Sequence, residues 1–104
     1  MIRKRSKACD ISQYVKWQVF RRDDFRCIVC GSRYGKPNAH YISRAQGGLG
    51  IPENIVTLCI DCHHKFDQTD HRKEYKEFIK NYLSKVYKDW DESKLVYKKY
   101  DYTN

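Results

Sequence analysis

The 104-residue sequence is short of the residues that build large cores. Leu is scarce and there is a single Met. No apolar run approaches the roughly 18 residues needed to span a membrane, which excludes a transmembrane helix. The basic N-terminus, Met1-Ile2-Arg3-Lys4-Arg5-Ser6-Lys7, is followed by no apolar segment, so no secretory signal is expected and the reading is cytoplasmic. There is no internal repeat and no low-complexity stretch, which excludes repeat architectures and leaves one domain. Acidic residues are the minority charge: 13 Asp and Glu against 21 Lys and Arg leave +8. That excess on so small a body favours a polyanionic partner, although simple solubility explains many basic proteins. A chain of this length buries a modest core and commonly needs a staple. Tyr is abundant, so a thin, aromatic-rich core wrapped in charge is expected.

Residues 1–9 read as a basic arm whose Arg3, Lys4, Arg5 and Lys7 either follow a phosphate backbone or merely solubilise the chain. A first helix is predicted over residues 10–22, with Asp10 and Gln13 as a capping box and Tyr14, Val15, Val19 and Phe20 as its apolar stripe. A tight turn over 25–32, a strand over 38–43, a glycine-rich loop over 46–52, a strand over 55–58 and a short helix over 61–67 follow. The clearest amphipathic signal covers residues 70–89, where Tyr75, Phe78, Ile79, Tyr82, Leu83, Val86 and Trp90 recur at three and four residues. Lys73, Lys76, Lys80 and Lys85 on its other face read as solvated. The expected organisation is an arm (1–9), a domain (10–92, with its core at 25–70) and a tail (93–104).

Two cysteine pairs carry the first chemical signal. Cys27-x-x-Cys30 and Cys59-x-x-Cys62 have metal-ligand spacing, and two such turns complete a tetrahedron of thiolates around one ion. Paired cysteines in a reducing compartment suggest metal rather than disulfide. A redox Cys-x-x-Cys of the thioredoxin kind needs a βαβ context, which is absent from the predicted elements. A structural zinc site contributes on the order of 10 kcal/mol to folding, comparable to the net stability of a domain. Cys9 is left over as a buried or free thiol.

Between and just after the pairs stand His40, Asn54 and His63, separated by 14 and 9 residues. Two strands and a helix can bring all three to one point. With the stretches Cys27-Ile-Val-Cys30-Gly31, Ala39-His40-Tyr-Ile-Ser-Arg44-Ala-Gln-Gly47-Gly48 and Pro52-Glu-Asn54-Ile-Val-Thr-Leu-Cys59-Ile-Asp-Cys62-His63, the chain resembles the HNH endonucleases. Their fold is the ββα-metal motif. The likeness covers the middle third, with a weaker echo over residues 19–26. The compact form is similar to small stand-alone HNH proteins of bacteriophages and prophages, some of which assist genome packaging beside the terminase.

The resemblance implies an α+β domain with a ββα-metal core, flanking helices and a structural zinc held by Cys27, Cys30, Cys59 and Cys62. It implies nicking or cutting of DNA in a bacterial cytoplasm, leaving a 5′ phosphate and a 3′ hydroxyl, with no membrane partner. His40 would be the general base, suited to take a proton from water near neutral pH. His63 and Asp67 would hold one divalent ion such as Mg2+, Mn2+, Ni2+ or Zn2+. Asn54 would brace the loop that carries the base, Gly47 and Gly48 would let that loop turn tightly, and Arg44 would hold a phosphate. Ala39 departs from the family, which commonly places a metal ligand there. That departure suggests an ion held by fewer protein groups and more water, or by His64 as a substitute. His71 and Tyr41 read as structural. Two binding functions rival the enzyme: a non-catalytic zinc-containing DNA module, and an interaction module for packaging proteins.

Overall fold

Residues 4–98 are described by the computed structural model. Of the expected arm and tail, residues 1–3 and 99–104 lie outside the described residues. Among the described residues no helix is long and apolar enough to cross a membrane. Two helices and not one open the chain: α1 (Lys4–Cys9) and α2 (Gln13–Arg22). Ser12 separates them. Its backbone is extended and its hydroxyl accepts from the Val15 N–H at 3.1 Å, so it caps α2 in place of the predicted Asp10. Asp10 is thereby freed for a different partner. Within α2 only Val19 is fully buried, while Tyr14 is exposed, so the apolar stripe is narrower than its spacing suggested.

Strand β1 (Lys36–His40) pairs antiparallel with β2 (Ile55–Leu58), with Ala39 opposite Val56 and His40 opposite Ile55. The predicted first strand ran from 38 to 43. It ends earlier because residues 41–43 turn away into a short 3-10 segment, Arg44–Gln46, capped by Ser43. The register slips between Lys36 and Ala39, where Pro37 has no N–H to give. All of β2 is buried, as its β-branched run predicted. Helix α3 (Ile60–Gln68) starts directly behind it, and helix α4 (Arg72–Val86) is shorter at both ends than the predicted 70–89.

The core joins Ala39, Tyr41, Val56, Leu58, Phe66, Ile79, Leu83 and Leu95. Leu95 and Val96 lie beyond the expected domain limit yet belong to the fold: Leu95 is buried, and Val96 bridges Gly48. Ile79 and Leu83 bear the packing of α4, whereas Phe78 and Val86 are exposed. A buried polar knot fastens α2 to α4 and the sheet. Arg22 grips the Asp23 carboxylate at 2.7 and 3.0 Å and donates to the Pro52 and Ile55 carbonyls, both at 2.7 Å. Asp23 in turn accepts from the Thr57 N–H and the Tyr82 hydroxyl, at 2.8 and 2.5 Å. Each buried charge is thus paired and hydrogen-bonded, the condition under which burial is tolerated.

Candidate metal centre and active-site cleft

The two cysteine pairs converge. Cys27 and Cys30 sit in the turn before β1. Cys59 caps α3 and accepts from the Cys62 N–H at 3.4 Å, which folds the second pair around a helical turn. The Ile28 N–H donates to the Thr57 carbonyl at 3.0 Å and hangs the first turn on β2. The four sulfurs lie within 4.8 Å of one another, with Cys30 and Cys59 at 3.6 Å. Sulfurs placed about 2.3 Å from a tetrahedral ion stand about 3.8 Å apart, so the quartet fits one metal ion. Its electrostatics ask for a cation. Burial raises the Cys27 thiol, but N–H groups from Cys30, Cys59 and Val29 outweigh it and bring the thiol down to about 7. Burial also pushes Cys62 up, and the neighbouring thiols of Cys59 and Cys27 add to that against the Tyr75 hydroxyl, which donates to the Cys62 sulfur at 3.8 Å. Four thiolates so close cannot all shed their protons unless a positive ion offsets them.

Beside the end of β1 and helix α3 lies a cleft of about 470 Å³, lined by His40, Arg44, His63, Asp67, Gln68 and Arg72 among others. His40 stands at the end of β1. Its Nε2 lies 2.8 Å from the Cys9 carbonyl at the end of α1. A carbonyl can only accept, so Nε2 carries the proton and Nδ1 keeps a free lone pair in the neutral ring. Burial holds the His40 pKa below the ordinary histidine value, and the charges of Arg44 and His63 act in the same direction, against the Cys9 carbonyl and Asp10. His63 and Asp67 face each other one turn apart on α3, Nε2 to Oδ2 at 3.0 Å, both partly open to solvent. A ring nitrogen and a carboxylate oxygen so placed suit a hard or borderline divalent ion with water completing its shell.

Asn54 is fully buried behind the cleft. Its side chain accepts from the Ile42 N–H at 2.8 Å and donates to the carbonyls of Ile42 and Leu49 at 3.1 and 2.9 Å. It locks the segment that follows His40. Gly48 lets that segment close: a β-carbon there would collide with the Ile42 carbonyl and press on the Asn54 amide. Gly47 ends the 3-10 turn at φ +83°, a conformation that glycine adopts freely.

Several expectations change. Arg44 lines the cleft but is already engaged, donating to the Cys9 carbonyl and pairing with Asp10, both at 2.8 Å. Residues 4–9 are a helix and not a loose arm: Arg5 donates to the Ala45 carbonyl at 2.6 Å, and the Gly50 N–H donates to the Ala8 carbonyl. Ala39 is fully buried in the core opposite Val56, so a longer residue there would enter the core. His64 is exposed and does not line the cleft. His71 precedes α4 on the surface, within 3.6 Å of Glu74.

No protein-family model matches the chain. Over 60 residues it is 35% identical to Anaredoxin of Nostoc sp. (strain PCC 7120), a match that spans 57% of this chain and 74% of that protein. The chain belongs to the anaredoxin family. For this anaredoxin relative, three groups of the site went unseen in the sequence. The Cys9 carbonyl has no side-chain signature. Tyr75 matched the apolar stripe of α4, which hid its hydroxyl's bond to Cys62. Arg72 stood outside every motif, although it begins the helix that closes the cleft.

Proposed function

We propose that this chain is a metal-dependent DNA endonuclease of the HNH type, with a ββα-metal core, that nicks or cuts DNA by hydrolysing phosphodiester bonds. The observation that carries the reading is the cleft, which gathers His40, His63 and Asp67 while buried Asn54 pins the segment next to His40. His40, neutral at physiological pH and with Nδ1 free, takes the proton from an attacking water. The Cys9 carbonyl keeps the ring in that tautomer. His63 and Asp67 would hold a divalent ion such as Mg2+, Mn2+, Ni2+ or Zn2+. When bound, such an ion offsets the charge that grows on the phosphate and the leaving 3′ oxygen. The cysteine quartet takes zinc and staples the fold. DNA is the partner that suits the +8 charge, and the resemblance to phage HNH proteins extends this to a role beside packaging proteins.

The test is nicking of supercoiled plasmid with and without added divalent metal. Wild type is expected to nick only with metal, and His40→Ala to lose about 10²–10⁴-fold in rate while keeping its DNA affinity and melting temperature. Equal inertness of both proteins with magnesium, manganese, nickel and zinc would sink the catalytic reading.

A second reading rests on the quartet itself and on the name of the relative, which speaks of redox chemistry. Four tetrahedral thiolates take iron as well as zinc. Iron in the purified protein, with visible absorption that bleaches reversibly on reduction, would favour electron transfer. Colourless protein holding one zinc favours the endonuclease.

A further inference from the structure

The cleft contains two arginines in different circumstances. Arg44 reaches in from the 3-10 turn after β1, but Asp10 and the Cys9 carbonyl already hold its guanidinium, both at 2.8 Å. Those two partners occupy donors that a phosphate would use, and the Asp10 carboxylate offsets part of the charge. Arg72 reaches in from the start of α4. It is exposed, and among the described residues no side chain or carbonyl accepts from its guanidinium. Its place is also unfavourable for the fold, because a cation in the first turn of a helix opposes the helix dipole. Stability therefore does not account for a free arginine at this position. Beside it on the cleft wall stands Gln68, whose amide can donate.

We propose that Arg72, with Gln68, forms a phosphate-binding site at the α3–α4 corner of the cleft, which holds a DNA backbone phosphate next to the one cut at His40. Arg44 is instead an organiser: it ties the end of α1 to the cleft and so positions the Cys9 carbonyl against His40. The inference rests on the endonuclease reading for the identity of the anion, while the site itself rests on the free guanidinium. Guanidinium and phosphate pair through parallel N–H···O bonds, and such a contact releases counterions from DNA when it forms.

The experiment measures binding of a labelled DNA duplex over a range of salt concentrations to protein purified with one metal ion per chain and no divalent ion added, so that no cutting occurs. Melting curves and plasmid nicking with magnesium or manganese accompany it. Arg72→Ala should weaken binding about tenfold at low salt and flatten the salt dependence by about one phosphate contact. Its melting temperature should be unchanged or slightly higher. Arg72→Lys should recover the salt slope but only part of the affinity, since an ammonium lacks the two-pronged fit. Arg44→Ala should leave the salt slope near wild type and lower the nicking rate. An unchanged slope in Arg72→Ala, or a slope that flattens in Arg44→Ala instead, overturns the assignment. Wild type that binds DNA through Arg72 but never nicks supports the site and removes the endonuclease reading. Wild type that nicks while Arg72→Ala behaves identically does the reverse.

Discussion

The cysteine quartet and the histidine cleft share one short helix, where Cys62 and His63 are neighbours in sequence, yet they are built on opposite principles. At the start of α3, four side chains of one chemical kind converge within 4.8 Å, three of them buried, and could complete a metal ion's coordination with protein alone. Directly after Cys62 and one turn on from it, His63 and Asp67 present a ring nitrogen and a carboxylate that remain partly open to solvent. With an ion bound, the first arrangement would tie the turn at Cys27–Cys30 to the start of α3 and leave no coordination position open to another molecule. The second leaves room for water and phosphate, which a hydrolytic site requires and a staple does not.

That contrast breaks most visibly at the quartet. Cys59 caps α3, and its sulfur accepts from the Cys62 N–H, so Cys59→Ser removes a metal ligand while retaining a capping oxygen. The expected outcome is loss of the bound metal and of the cooperative melt, a deficit on the order of 10 kcal/mol for a structural site. Metal analysis and circular dichroism read it directly. A variant that melts like wild type with one metal still bound would show that the quartet is ornamental and the contrast false.

A medium effect is expected where fold and cleft meet. Asn54 makes three hydrogen bonds from a fully buried position. Asn54→Ala leaves the Ile42 N–H and the Leu49 carbonyl without their partner, at a cost of about 1–3 kcal/mol by unsatisfied burial. Because Ile42 lies two residues from His40, nicking should slow more than the stability loss explains, with the metal concentration for half-activity unchanged. A shift in that metal requirement would make Asn54 a ligand and not a brace.

The sequence was legible where chemistry recurs at fixed spacing, and silent where backbone acts. The cysteine spacing placed all four thiols correctly, and the β-branched run of Ile55–Leu58 placed β2. His40, His63 and Asp67 do share one cleft. The N-terminal segment was misread because six residues rich in Lys and Arg carry little apolar pattern, and α1 is held by contacts to residues 44–50 rather than by its own stripe. Asp10 was misread as a cap because its partner, Arg44, is 34 positions away. Ala39 looked like a missing ligand from sequence position, but strand alternation sends it into the core beside Val56. The Arg22–Asp23 knot left no trace, since adjacent opposite charges on a helix end are commonplace and its partners Tyr82 and Tyr87 lie far along the chain.

The smallest effect is the most discriminating for the cleft. His40 has a pKa below the ordinary histidine value in the folded protein, first because it is half-buried and then because Arg44 and His63 repel its proton. In the unfolded chain the ring returns to about 6.5. The unfolded state therefore binds more protons in the window just below that value, and the contribution of His40 to stability is present above pH 6.5 and declines as the pH falls toward the folded pKa. If the chain nicks DNA as proposed, the same depression should place the acid limb of kcat/KM below the ordinary histidine range, and a metal ion at His63 should displace it further the same way. Arg44→Met removes one of the cations that depress the ring, so the limb should move to higher pH by a fraction of a unit. NMR titration of the His40 ring protons should follow it without any need for turnover. If the ring titrates at or above 6.5 in wild type, burial does not govern it, and the cleft is as open at His40 as it is at Asp67.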